Sequence, residues 1–112
     1  MGRRDELVVT CAGEIQVRCG MQPEMDLLDR VIKACGPAAF SATGATVDPA
    51  DAQARDHIRT HFLIRKLGLK DGPELAMAID NAFEVYASQG APHHRAVIYY
   101  LLVKYFGRDA AL

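Results

Sequence analysis

The sequence holds three cysteines, Cys11, Cys19 and Cys35, an odd number with no C-x-x-C spacing. That pattern excludes a fully paired disulfide framework and a cysteine-rich zinc motif, and it fits reduced, buried thiols. No apolar run approaches the roughly 20 residues that a membrane span needs; the most apolar stretch, residues 96–103, holds eight. There is no charge excess either. Lysine and arginine number 13 against 14 acids, for a net charge of −1, which argues against a general nucleic-acid binder. At the start of the chain, Arg3 and Arg4 are followed at once by Asp5 and Glu6, and Glu14 and Gln16 break the next apolar segment. A secretory signal core is therefore not expected. Glu6 stands where a myristoylation motif after Gly2 needs Ser or Thr. The expected compartment is the cytoplasm, with no membrane association. Residues 37–47 lack the second glycine and the Lys-Ser/Thr ending of a phosphate loop. Neither Ser41 nor Ser88 has a nucleophile-elbow context. No cofactor is implied, and no catalytic pattern stands out.

The 112 residues are half hydrophobic and 24% charged, enough to build a core in one domain. The predicted fold is all-α, a small single-domain bundle of about four to five helices around a buried C-terminal helix. That helix is the stretch Arg95-Ala96-Val97-Ile98-Tyr99-Tyr100-Leu101-Leu102-Val103-Lys104-Tyr105-Phe106-Gly107. Several of these residues favour strands, but Pro92 before and Gly107 after bracket about 14 residues, far more than a typical strand. A helix apolar nearly all round is buried on most sides.

The other elements follow from periodicity and punctuation. In residues 1–20, Leu7, Cys11, Ile15 and Arg18 recur at helical spacing, which predicts a helix ending at Gly20; an extension is the alternative. After Pro23, Met25, Leu28, Val31, Ile32 and Cys35 form an apolar stripe stopped by Gly36-Pro37. Residues 37–47 read as a loop anchored by Phe40. Asp48 is the expected cap and Pro49 the first turn of a helix reaching Lys66, with Ala54, Ile58, Phe62 and Leu63 inward and Gly68 closing it between Leu67 and Leu69. Pro73 opens a further helix with a stripe of Leu75, Ile79, Ala82, Phe83 and Tyr86, stopped by Gly90 and paired as a hairpin with the last helix.

Two stretches carry a resemblance. Phe62-Leu63-Ile64-Arg65-Lys66-Leu67-Gly68-Leu69 and Arg95-Ala96-Val97-Ile98-Tyr99-Tyr100-Leu101-Leu102, the latter continuing to Phe106-Gly107-Arg108, resemble the motifs of a small bacterial family, domain of unknown function 2853. The family pattern reads Phe-Leu-basic-basic-Lys-Leu-Gly-Leu and then a Tyr-Tyr-Leu-Leu core. Ile64 stands where that pattern has a basic residue, and Ala96-Val97-Ile98 replace a Val-Thr-Phe-like triplet. The pattern does not hold His57 and His61 as histidine. The resemblance implies a compact all-helical domain and transfers no activity, substrate or site residue.

Three candidate sites remain. His57 and His61, four apart on one helix, share a face and can approach one metal ion, with a third ligand from His93, His94 or a cysteine; the Glu of H-E-x-x-H is missing after His57. Both also border the buried stripe as ordinary boundary residues. Arg55, Arg59, Arg65, Lys66 and Lys70 are the one basic concentration, suited to an acidic partner or a phosphate-bearing ligand, or to solvent and pairing with Asp51 and Asp56. No aromatics interleave them as a single-strand platform requires. Tyr99 and Tyr100 project about 100° apart on a helix, so one is expected inside and the other at a boundary or ligand pocket; Arg95 or Asp80 are the expected partners of a buried hydroxyl. Acid pairs such as Asp26 and Asp29 look like first-turn charges. The leading functional expectation is a protein-interaction or structural module that self-associates or binds another protein. The alternative is a small-ligand or metal site using His57, His61 and the tyrosines, and the last is weak nucleic-acid association through the basic face.

Overall fold

A computed structural model describes residues 2–41, 44–86 and 93–112. Ser88, Gly90 and Pro92, and with them the predicted stop and start around the last connection, lie outside the described residues. So do residues 42 and 43 of the expected loop. Among the described residues the chain is built from helices, with one two-residue strand pair.

Helix α1 spans Arg3–Val17 and buries Cys11 and Ile15 completely, the row the spacing predicts. It carries Val8, Val9 and Gly13, poor helix formers, so packing of this row rather than propensity holds it. Helix α2 spans Met25–Cys35 and buries Leu27, Leu28, Val31 and Ile32. Met25, expected on the stripe, is instead 48% exposed. It is the first residue of the helix, and helical side chains lean toward the N-terminus, here away from the core. Gly36 closes α2 with φ 63°.

The segment expected as a loop is more ordered than the sequence suggests. A 3-10 helix covers Gly36–Phe40, and Thr46–Val47 forms strand β1. β1 pairs antiparallel with β2, His93–His94, placing Thr46 opposite His94 and Val47 opposite His93. Strands of two residues are too short to leave an alternation signal.

Helix α3, Ala52–His57, is capped by Asp51 rather than Asp48. The Asp51 carboxylate accepts from the Gln53 and Ala54 amides at 3.0 and 3.2 Å. Asp48 accepts from the Ala50 amide at 2.9 Å and shapes the turn before it. The helix continues without a break into a π-helix, Ile58–Lys66, which buries Ile58, Phe62 and Leu63 as expected. The wide turn persists to its end, where the Leu67 amide donates to the Phe62 carbonyl at 2.9 Å, five residues back. Gly68, at φ 72°, then lets the Leu69 amide reach the Leu63 carbonyl at 3.0 Å.

Helix α4, Pro73–Val85, turns Leu75, Ala78, Ile79, Ala82 and Phe83 inward. Helix α5, Arg95–Phe106, is buried at all eight positions of the apolar run and is capped by Gly107 in the left-handed region. It packs against α2, α4 and α1, which makes it the centre of the core. Each large side chain it buries contributes roughly 1.5–3 kcal/mol. Both Tyr99 and Tyr100 are buried, at 5% and 1% exposure, because neighbours cover α5 on more than one side. No helix among the described residues is long and apolar enough to cross a membrane.

Candidate functional site

The predicted basic face divides in two. Arg55 pairs with Asp80 on α4, donates through Nε to the Pro49 carbonyl at 2.6 Å, and lies 4.9 Å over the Phe83 ring. Asp80 is thus spent on Arg55 and not on a tyrosine. Arg59 bridges Asp56 at 2.7 Å and Asp71 at 2.8 Å, and its hydrogen bonds to Asp56 and then Asp71 hold the guanidinium charged. These two arginines fasten α3 and the π-helix to their neighbours. Arg65 and Lys70 are exposed. Lys66 is exposed too, at the edge of a cavity.

Lys66 lines a cavity of about 140 Å³ between the end of α2, the 3-10 helix, the α3–π segment and the start of α5. Its polar wall is His57, His61, Lys66, Arg95, Tyr99 and Cys35, and Ala34, Ala38 and Phe62 complete it. Among the described residues no carboxylate lines it. His57 and His61 are one turn apart and stack, with ring centroids 4.2 Å apart and planes at 15°. In an α-helix Lys66, five residues after His61, would point about 140° away from it. The i to i+5 bonding of the π-helix brings residues five apart onto adjacent turns of one side, and so joins Lys66 to the histidines.

Arg95 arrives from the first residue of α5. The strand pairing next to it lets its amide donate to the Ala45 carbonyl at 2.8 Å. Its Nε donates to the Gly44 carbonyl at 2.6 Å and its Nη1 to the Tyr99 hydroxyl at 3.1 Å. These bonds hold the guanidinium in place and leave Nη2 without a partner among the described residues. The Tyr99 ring stacks on Phe62 at 3.8 Å. Burial raises the Tyr99 pKa while the Arg95 hydrogen bond opposes it. Burial likewise pushes the Cys35 thiol up to about 12, against the pull of Arg95, so it is a neutral wall and not a nucleophile at neutral pH. The His57 pKa is lowered, first by desolvation and then by the positive charges of His61 and Arg95, with Asp56 opposing.

A family model described as protein of unknown function (DUF2853) matches residues 10–110. The chain belongs to this family. The match spans every residue of the cavity, and Lys66 and Arg95 fall in the two stretches that carried the resemblance. No curated protein matches the chain. The description of the DUF2853 family names no activity, so the chemistry has to be read from the side chains themselves.

The metal arrangement is not assembled in this DUF2853 chain. Stacked, nearly parallel imidazoles hold their in-plane lone pairs apart, and His61 Nδ1 lies 2.9 Å from the Thr60 hydroxyl. His93 and His94 are engaged elsewhere, on the Tyr86 carbonyl at 3.2 Å and on Glu14 at 2.9 Å. Among the described residues no group of three or more His, Cys, Asp or Glu side chains is placed to hold a metal ion. Tyr100 is also separate from the cavity; its hydroxyl accepts from the Glu24 amide at 2.9 Å.

A polar cluster that sequence reasoning missed ties α1 to the far half of the chain. The Glu14 carboxylate accepts from the Tyr86 hydroxyl, from Arg18 at 3.1 Å and from the His94 ring at 2.9 Å. The Arg18 guanidinium lies 4.2 Å over the Tyr86 ring. Glu14 and Tyr86 are 72 residues apart, so no local pattern announces the pair. Among the described residues no buried side-chain nitrogen or oxygen lacks a hydrogen-bond partner. The cluster's buried polar atoms are thus satisfied, which suits a fastening better than a ligand site.

Proposed function

We propose that this protein binds a small anionic ligand in the cavity between α2, the α3–π segment and α5. One observation carries the reading: two permanent cations, Lys66 and Arg95, and two imidazoles line one cavity that holds no carboxylate. Elsewhere several arginines are spent on acids, as Arg55 is on Asp80 and Arg59 on Asp56 and Asp71. Unneutralised positive charge gathered in a concave, partly desolvated site attracts an anion more strongly than the same charge on an open face. Arg95 supplies a fixed donor, Lys66 a mobile point charge, and the Tyr99 hydroxyl, which accepts from Arg95, keeps its own proton to donate.

The expected interaction module has less support. The large exposed apolar side chains, Val9 and Val17 on α1, Met21 before α2, Met25 on α2, Met77 on α4 and Tyr105 on α5, are spread over four helices and a connection; singly scattered apolar residues are ordinary on a protein surface.

The reading is tested by following the histidine ring resonances and the melting temperature during titration with phosphate, sulfate and acetate. An anion present at 100 times its dissociation constant stabilises the fold by about 2.7 kcal/mol. Affinity should rise as the pH falls through the imidazole range, because a bound anion favours protonated His57. Arg95→Gln and Lys66→Gln should each weaken binding. If none of these anions moves the His57 and His61 resonances, or if both variants bind as the parent does, the reading is wrong.

A further inference from the structure

We infer that the anionic group is a phosphoryl group, carried by a small, largely apolar organic body that lies in the groove next to the cavity. This rests on the anion-binding reading and adds the ligand's class. Three features of the site separate a phosphoryl group from a carboxylate.

The first is the direction of the donors. A planar carboxylate is best met by the two parallel N–H groups of an arginine fork. The Nε edge of Arg95 is already committed to the Gly44 carbonyl, and Nη1 to Tyr99. What remains is a set of separate donors from different elements: Nη2 of Arg95 and the Tyr99 hydroxyl from α5, and Lys66 with the two imidazoles from the α3–π segment. Separate donors on several sides suit three oxygens arranged around a tetrahedral centre. The second is charge. Lys66 and Arg95 bring two positive charges and no carboxylate lines the cavity. A phosphate monoester carries about −1.5 to −2 at neutral pH and balances them, whereas a carboxylate leaves one uncompensated.

The third is size and surroundings. The cavity of about 140 Å³ admits a headgroup and little more, and a groove of about 240 Å³ adjoins it. Ala34 and Lys66 line both. The groove's other walls are Arg30, Lys33 and Leu112. Arg30 is occupied by the carbonyls of Asp109 at 3.0 Å and Leu112 at 3.2 Å, and Lys33 by Asp29 at 3.5 Å. These bonds fix both head groups, and the Arg30 charge, which meets carbonyls, persists at the groove. The aliphatic stems of the two side chains, with Ala34 and Leu112, make a surface for an apolar body.

The test is calorimetry on the full chain with phenyl phosphate, inorganic phosphate and benzoate, repeated with Leu112→Ala, which strips an apolar wall from the groove and does not line the cavity. Phenyl phosphate should bind at least about ten-fold more tightly than benzoate. Leu112→Ala should weaken phenyl phosphate while leaving inorganic phosphate unchanged, and that unchanged binding also certifies that the variant is folded. Benzoate within about three-fold of phenyl phosphate overturns the phosphoryl assignment and leaves the anion reading standing. Inorganic phosphate binding as tightly as phenyl phosphate, with no effect of Leu112→Ala on either, removes the organic body. Binding of none of the three, with unmoved histidine resonances, overturns the inference together with the reading beneath it.

Discussion

Tyr86→Phe removes one oxygen and no packing volume, so it isolates the hydrogen bonds of the Glu14 cluster. The side chain is completely buried. Its hydroxyl donates to the Glu14 carboxylate and accepts from the His94 amide at 3.1 Å and from Arg18 at 3.3 Å. A hydrogen bond to an ionised group is worth about 1.5–3 kcal/mol, and a buried donor left without a partner costs about 1–3 kcal/mol. Glu14 keeps Arg18 and His94, so the lower half of each range applies and the total is about 3 kcal/mol. Tyr100→Phe is the matched control. Tyr100 is equally buried, but its hydroxyl accepts only the Glu24 amide at 2.9 Å, and Glu24 is exposed so that water can replace the oxygen. Its cost should be about 1 kcal/mol. At this chain length about 4 °C of melting temperature corresponds to each kcal/mol, so the shifts should be about 12 and 4 °C. Urea unfolding followed by circular dichroism reads both as midpoint changes at constant slope. Equal losses for the two variants would refute the view that the Glu14 cluster fastens α1 to the rest of the fold.

Leu102→Ala empties a fully buried site at the centre of α5 and should cost about 3 kcal/mol; a loss below about 1 kcal/mol would mean that the core can collapse around it. Gly107 sits at φ 63° with nothing within 4 Å of an added Cβ, so Gly107→Ala should cost about 1–2 kcal/mol through backbone strain alone, with Gly107→Asn recovering part of it in the same unfolding assay. His93 is buried and its pKa is lowered, first by desolvation and then by the Arg18 charge. The unfolded chain then binds protons more readily, so this contribution to stability is complete above about pH 6.5 and is lost as the pH falls toward the folded pKa. His93→Gln should flatten that acid limb, and an unchanged slope would count against it. Burial raises the pKa of Cys11 and Cys35 to about 12 and of Cys19 to about 11. A thiol-exchange reagent at pH 8 should therefore label the native chain slowly and all three cysteines at once in denaturant; rapid native labelling would show that the thiols are open to solvent.

The elements were legible wherever the signal is local. An eight-residue apolar run bracketed for a helix names α5 as the buried centre, and glycines at 68 and 107 mark stops because only their backbones adopt the left-handed region cheaply. The apolar rows of α1, α2 and α4 follow from a period of 3.6 residues, which each helix reports by itself. Local reasoning erred where two local solutions compete. Asp48 and Asp51 are both good caps, and only the path of the chain selects Asp51. Met25 fits its stripe, but its place at the helix start exposes it.

The candidate site depended on distance in space. His57 and His61 were visible as a pair, but their stack, and the π-turn that sets Lys66 beside them, arise from how the helix packs. Arg95 joins them because β1 and β2 pair across the 45 residues between them and carry its amide to Ala45. The same holds for Glu14, Tyr86 and His94. The chain's own pattern determined an all-helical DUF2853 fold and its buried centre, since burial and helical period are written in consecutive residues. Which cations are neutralised and which face a cavity was decided only by tertiary structure, since Coulomb energy depends on separations between side chains that the linear order does not contain.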